Sequence, residues 1–301
     1  MKTRCLISYV LFAAGGFLWA ENAPEAKVDT AKIEAITGLK GKLNQQEGVF
    51  KVTVPRNDMK ITVDGWQMPP FMGLTSWAAF KTGAAAETMV MGDLVLMQDE
   101  VNPVMSALLD SGLTVTALHN HFFFDEPKVY FMHIGGEGPA EKLATGVKAA
   151  FDKVKEIRAA QPEMAKSFGK PFAPGANAIT GDKIAEILGV KGDAKDGMFK
   201  VVIGRSTKMP CGCEAGKEMG VNTWAAFAGT DDNALVDGDF AVLESQLQPV
   251  LKSLRKSGLN IVAIHSHMTG ETPRILFLHY WGRGEAAELA KAVKAALEVA
   301  K

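Results

Sequence analysis

Two stretches of this chain, HNHFFFDEPKVYFMH at residues 119–133 and HSHMTGETPRILFLH at residues 265–279, contain all six of its histidines. Each histidine of the second stretch lies 146 residues after its counterpart in the first. The matched pairs are His119 and His265, His121 and His267, and His133 and His279. Because the histidines recur while the residues between them change, the pattern indicates a functional site built from imidazole groups and present in two copies.

The repeat extends well beyond the histidines. SGLTVTALHNH aligns with SGLNIVAIHSH, GDLVLMQDEVNPVMSALL with GDFAVLESQLQPVLKSLR, and VFKVTVPR with MFKVVIGR. Self-similarity over this length predicts a tandem duplication. We expect a first repeat unit at 28–160, a linker rich in proline and glycine at 161–177, and a second repeat unit at 178–301.

The hydrophobic periodicity predicts an α+β fold for each unit. In the first unit a short leading helix precedes strands at 50–54, 77–80 and 94–97, a helix at 101–109, strands at 114–122 and 128–134, and a closing helix at 143–154. A turn is expected at Gly92–Asp93, where the third of these strands begins. The order is ββαββα-like, and it predicts two tandem repeats, each a largely antiparallel sheet covered by helices on one side.

Composition and the N-terminus bound the class of protein. A net charge of −1 over 301 residues provides no basic surface for nucleic acid. Lys2 and Arg4 precede an apolar run that ends near Ala20, which is typical of a cleaved signal peptide at 1–20. The run is short for a membrane span, so we expect a periplasmic or secreted protein with no stable span after cleavage.

The spacing of the histidines predicts metal coordination. Residues i and i+2 of a strand point to one face, so His119 and His121 are expected to project together. A turn centred near Pro127 is expected to place His133 opposite His121, and the same construction applies around Pro273. Three converging imidazoles suit zinc or copper, and burial keeps them in the neutral, ligating form. Two alternatives remain: packing at the interface between the repeats, and binding of a small organic ligand or partner there.

A metal-dependent hydrolase would also need a carboxylate as general base. Glu100 is the candidate in the first unit, but Gln246 stands at its position in the second, where Glu244 is the carboxylate that could substitute. Asp93 and Asp239 are duplicated, yet each follows a glycine, and we interpret both as turn residues. A zinc-dependent hydrolase that uses Glu100 is therefore the second functional hypothesis.

Cys211 and Cys213 form a CGC sequence that is present in the second unit alone. The segment MPCGCEAGKEMG is expected to lengthen the part of the chain that corresponds to MPPFMG in the first unit. Three states fit these cysteines: a strained disulfide, a pair of soft metal ligands, or a redox-active dithiol.

The elements EVNPV, SGLTVTALHNHFFFDEPKVYFMHIGGEG, the WAAF strand and the Gly-Asp pair resemble the LppY/LpqO family. That family comprises exported bacterial proteins and mycobacterial lipoproteins with a domain of unknown function. The resemblance covers nearly the whole mature chain and implies export and a two-fold repeat, but it implies no reaction and no catalytic residue. This sequence departs from the family pattern at QLQPV and HSH in the second unit, and it has no lipoprotein cleavage motif.

Overall fold

The computed structural model describes residues 28–83, 87–168 and 175–301. The predicted signal peptide and residues 169–174 of the predicted linker lie outside these ranges. Within the described residues, no helix combines the length and apolar character needed to cross a membrane.

The first copy contains three helices and nine strands among its described residues. They are α1 (Thr30–Thr37), β1 (Gly41–Asn44), β2 (Val49–Pro55), β3 (Thr62–Val63), β4 (Trp66–Gln67), β5 (Thr75–Thr82), β6 (Thr88–Met97), α2 (Gln98–Asp110), β7 (Thr114–His119), β8 (Asp125–Glu126), β9 (Val129–Gly138) and α3 (Ala140–Ala160). A short 3-10 helix, Pro70–Met72, precedes β5.

The second copy repeats this order closely. Its elements are α4 (Gly181–Leu188), β10 (Gly192–Lys195), β11 (Met198–Gly204), β12 (Thr207–Lys208), β13 (Glu214–Ala215), β14 (Asn222–Thr230), β15 (Asn233–Leu243), α5 (Leu247–Lys256), β16 (Asn260–His265), β17 (Ile275–Gly284) and α6 (Ala286–Val299). Two 3-10 helices, Lys217–Met219 and Glu244–Gln246, complete it.

The two copies share one continuous sheet of 12 strands. Its order is β1-β2-β5-β6-β9-β7-β16-β17-β15-β14-β11-β10, so the second copy continues the sheet in the reverse order of the first. The paired strands are antiparallel throughout. At the centre β7 pairs with β16, where Leu118 lies opposite Ile264. The repeats are therefore related by an approximate two-fold axis between these strands.

The main hydrophobic core lies on one face of this sheet. It contains side chains from all six helices and one side of the strands, including Leu94, Met132 and Leu118. Two small apolar clusters lie on the opposite face, one around Phe131 and one around Phe277. One face is thus committed to packing against helices, and the other carries polar side chains between these clusters.

The predicted α+β class and the largely antiparallel pairing are confirmed. The expectation of one sheet for each repeat is wrong, because β7 pairs with β16 and joins both copies in one sheet, and the ββαββα order is incomplete. Further strands precede it in each copy, and the short strands β3, β4 and β8 form a separate small sheet. The turn predicted at Gly92–Asp93 is wrong, because both residues lie in the middle of β6. Gly92 is needed there for a different reason: a Cβ atom at this position would lie 2.7 Å from the carbonyl oxygen of Trp77.

Two amide side chains join the copies across the axis. Asn102 of α2 accepts from the backbone N–H of Ile261 at 2.8 Å and donates to the carbonyl of the same residue at 3.1 Å. Gln248 of α5 makes the matching bonds with Val115, at 3.0 and 2.8 Å. Each amide therefore supplies both the donor and the acceptor that a neighbouring strand would have supplied.

We expect Asn102→Ala to lower the free energy of unfolding by about 1–3 kcal/mol, because it leaves the N–H and C=O of Ile261 without these partners. Gln248→Ala should have a similar effect through Val115. Urea unfolding of both variants measures the loss. Gln45→Ala, in an exposed turn, is the control and should unfold like the wild type. An Asn102→Ala protein of unchanged stability would contradict this role for the amide.

Candidate metal centre

Three adjacent strands bring the histidines of each copy together with an aspartate. His133 of β9 lies opposite Ala117 of β7 on one side and opposite Asp93 of β6 on the other. In the second copy His279 lies opposite Ala263 and Asp239 in the same way. Residues that pair directly in a sheet point to the same face. Each copy therefore presents an aspartate beside its histidines on the face opposite the helices.

The register differs from the one expected from a turn centred at Pro127. The residue of β7 that pairs with His133 is Ala117, and His119 pairs with Phe131. His119, and not His121, is therefore the histidine closest along the chain to the residue opposite His133. The strand β7 also ends at His119, so His121 lies beyond the strand. The three rings are still grouped: the ring centroids of His119 lie 5.2 Å from His121 and 5.1 Å from His133.

An irregularity between Val115 and Ala117 decides which residues share the histidine face. Regular alternation along β7 would point Val115 to the same face as His119, but Val115 is fully buried in the helix-side core. The bulge shifts the alternation by one residue, so Ala117 and His119 point to the open face instead. The same shift occurs between Ile261 and Ala263 in the second copy.

The second copy has ligand atoms close enough to hold one metal ion. One atom each from Asp239, His265 and His267 lie within 4.8 Å of one another. The Nε2 atoms of His265 and His267 are 3.1 Å apart, and Oδ2 of Asp239 lies 3.6 Å from Nε2 of His267. Two ligands bound at about 2.0–2.1 Å to a tetrahedral ion are about 3.3–3.4 Å apart. The observed separations are close to that value.

Polar atoms without partners also fit a cation at this position. Among the described residues, Oδ1 of Asp239 and Nδ1 of His265 are buried and make no hydrogen bond. Asp239 is only 3% exposed, and burying a carboxylate oxygen without a hydrogen-bond partner is costly. A bound cation would offset that cost, because it would place a positive charge beside the carboxylate of Asp239.

His279 lies beside this group without joining its set of mutually close ligand atoms. Its ring is nearly parallel to that of His265, with the centroids 4.9 Å apart. In the first copy the nearly parallel rings are those of His119 and His121. Among the described residues of that copy, no three ligand atoms lie as close together as those of Asp239, His265 and His267. Oδ1 of Asp93 is nevertheless buried without a hydrogen bond, as in Asp239.

An aromatic ring supports one histidine of each copy. His121 stacks on Phe131 and His267 stacks on Phe277, each with ring centroids 3.4 Å apart. Both phenylalanines are fully buried in the small clusters of the open face. Each exposed imidazole therefore rests on a fixed surface, although it lies beyond the end of its strand.

Burial and neighbouring charges favour the neutral form of two histidines. Burial, together with His279 and His267, lowers the pKa of His265 to about 4. Burial and the nearby His119 also lower the pKa of His121. Burial raises the pKa of Asp239 despite the opposing effect of His279 and His267. A neutral imidazole keeps the lone pair that a metal requires.

Glu100 lies apart from this arrangement, in a buried ion-pair network. Its side chain is fully buried, and both of its oxygens accept hydrogen bonds from Arg56 at 2.8 Å. Arg158 lies 2.9 Å from Oε1, and the backbone N–H of Met97 donates to Oε2 at 2.9 Å. These contacts occupy the carboxylate, so the geometry argues against the hypothesis that Glu100 is a general base.

The second copy shows what the position of Glu100 does. There Gln246 accepts from the backbone N–H of Leu243 at 2.9 Å and from Arg205 at 2.6 Å. These are the same two contacts that Glu100 makes with Met97 and Arg56. Because the neutral amide of Gln246 makes the matching contacts at the junction between strand and helix, we assign the position a structural role.

The two histidine groups lie side by side on the open face. Leu118 and Ile264 pair at the axis and point into the helix-side core. The residues next to them, Ala117 and His119 on β7 and Ala263 and His265 on β16, therefore point to the opposite face. The six histidines form one array across the centre of the sheet, with the small alanines between the two groups.

The aspartates were the residues that sequence reasoning misjudged. Asp93 and Asp239 were interpreted as turn residues because each follows a glycine. One sequence signal did favour them: they are acidic residues duplicated in register with the histidines. The glycine before each one reflects close packing within the sheet, since a Cβ at Gly238 would lie 2.4 Å from the carbonyl oxygen of Trp224.

The fold and this site define a tandem α+β protein with a candidate metal centre on one face of a shared sheet. The chain belongs to the family described as Domain of Unknown Function (DUF1259), whose model matches residues 31–153 and 182–299. The two matches confirm the predicted repeat, since each covers one copy. No curated protein matches the sequence significantly.

Two solved structures show distant likeness. The trimeric bacterial microcompartment shell protein PduB is 12% identical, with 86% of this chain and 89% of that chain covered and a TM-score of 0.21. The double-ringed trimeric shell protein MSM0271 from the RMM microcompartment is 11% identical, with 86% and 95% covered and a TM-score of 0.19. At these scores neither likeness carries an inference about this chain.

We expect Glu100→Gln to lower the free energy of unfolding by about 1–3 kcal/mol, because two buried arginines lose part of their charged partner. The metal content of the protein should not change. Thermal unfolding and elemental analysis of the same preparation test both statements. Loss of metal from a Glu100→Gln protein that unfolds normally would return Glu100 to the functional site.

Proposed function

We propose that this protein binds transition-metal ions through the histidine groups of the open sheet face, with an aspartate as an additional ligand in each copy. The observation that carries the proposal is the close set of ligand atoms from Asp239, His265 and His267. The first copy offers the same residue types in Asp93, His119 and His121.

Zinc or copper suits this set of donors. Imidazole nitrogens bind both ions, and a carboxylate completes many zinc sites. The strands hold Asp239 and His265, while the buried ring of Phe277 supports His267. With three protein ligands, an ion in this group would keep a position open for water or a small ligand.

Of the other sequence-based hypotheses, the hydrolase has the weaker support. Glu100 was its proposed general base, and that carboxylate is held by Arg56, Arg158 and the backbone of Met97. Binding of an organic ligand at the junction of the repeats stays an alternative, since the histidine array lies at that junction. Measurement of bound metal in the purified protein separates this alternative from the proposal.

Elemental analysis of the full chain, purified without chelators, should find zinc or copper bound. His265→Ala and His267→Ala should each remove the second-copy metal, and His119→Ala should remove the first-copy metal. Asp239→Asn should weaken binding at least about tenfold, measured by titration with Zn²⁺, because the site loses its negative charge.

Asp193→Asn is the matched control, since Asp193 is an exposed aspartate of the same copy that lies on β10, at the edge of the sheet. It should leave metal content and affinity unchanged. A wild-type protein that carries no metal and takes up neither Zn²⁺ nor Cu²⁺ would overturn the proposal and favour the organic-ligand alternative.

We also propose that the protein is exported to the periplasm or secreted, as the signal-like residues 1–20 and the resemblance to the LppY/LpqO family suggest. Expression of the full chain in a bacterial host should yield a product whose N-terminus, determined by sequencing, lies just after Ala20. An intact N-terminus on cytoplasmic protein would contradict export.

A further inference from the structure

A tight hairpin places two cysteines at its tip. It joins β12 and β13, and Met209 donates its backbone N–H to the carbonyl of Cys213 at 2.8 Å. Gly212 donates to the carbonyl of Met209 at 2.8 Å and has a φ of +84°. This is a three-residue turn that ends in a left-handed glycine, a conformation that side chains disfavour. The turn folds the chain back between Cys211 and Cys213.

The two thiol groups are accessible and lie on the same turn. Cys211 and Cys213 are both exposed and free of a disulfide. Only Gly212 separates them, and its left-handed conformation turns the chain between the two side chains. Thiolates bind metal, and two exposed cysteines on one turn can act as a ligand pair.

Several contacts attach this hairpin to the loop that carries His267. Lys208 and Thr272 exchange backbone hydrogen bonds at 3.1 and 2.9 Å, and the hydroxyl of Thr207 donates to the carbonyl of Pro273 at 2.7 Å. Met209 packs in the same apolar cluster as Phe277, on whose ring His267 stacks. The hairpin that carries the two cysteines is therefore attached to the loop that follows His267.

The first copy has an equivalent hairpin without sulfur at its tip. Thr62 pairs with Glu126 as Lys208 pairs with Thr272, and the turn between β3 and β4 consists of Asp64 and Gly65, with φ values of 50° and 78°. The expectation that the CGC segment lengthens MPPFMG is therefore wrong. The CGC segment instead stands where the first copy has the two-residue turn of Asp64 and Gly65.

We propose that Cys211 and Cys213 form a separate site for a soft monovalent metal ion, with Cu(I) as the representative ion. Paired thiolates select such ions over harder ones. Binding replaces the thiol protons, which pass to solvent, by two metal–sulfur bonds, and no oxidation state changes. The site uses ligands other than those of the histidine groups, so it goes beyond the function proposed above and can be tested independently.

The test is Cu(I) uptake by the full chain, kept reduced and anaerobic, in competition with a chromogenic Cu(I) chelator. Wild-type protein should bind one more equivalent of Cu(I) than Cys211→Ser/Cys213→Ser. X-ray absorption at the copper edge should show sulfur ligands in the wild type and lose them in the double variant. Zinc bound at the histidine groups should be the same in both proteins, because their ligands are unchanged.

Asp64→Ser, at the equivalent turn of the first copy, is the matched control and should bind Cu(I) like the wild type. Circular dichroism should show that the double variant is folded, since both replaced side chains are exposed. Equal Cu(I) uptake by the wild type and the double variant, or copper with only nitrogen and oxygen ligands in the wild type, would overturn the proposal. Neither result would affect the proposed histidine sites.

Discussion

The reciprocal hydrogen bonds of Asn102 and Gln248 are the contacts on which the joint sheet depends. The central strands pair at Leu118 and Ile264, and the amides bond Val115 and Ile261 further along each strand. Both bonded residues lie next to the bulges that set which side chains face the helices. The interaction that unites the repeats therefore also holds the strand segments that aim the histidines at the open face.

The two faces of the sheet therefore carry different kinds of side chain. The helix side supplies the large hydrophobic core, which leaves the opposite side free to carry buried or half-buried polar groups. Asp239 is nearly inaccessible and has an oxygen without a partner, and His265 has a buried nitrogen without one. Rigid strands and the buried ring of Phe277 hold these groups in place, as a preorganised ligand set requires.

The duplication preserved the centre of the site and allowed its edges to diverge. The histidines, the aspartates and the supporting phenylalanines recur in both copies. Around them the first copy exposes Trp66 and Phe123, 70% and 87% accessible, whereas the second copy presents Cys211 and Cys213. The two groups have the same donor types but different surroundings, which is why we assign the thiol site to one copy alone.

The sequence by itself determined the repeat, the α+β class and the set of histidines, because periodicity and spacing are local properties that survive without coordinates. Tertiary structure decided the rest. Strand register placed His133 beside Ala117 and Asp93, and the bulge at Val115 reversed the expected side-chain alternation. The partners of Glu100, which make it structural, come from distant segments. Such pairings depend on packing across the whole sheet, and no local pattern specifies them.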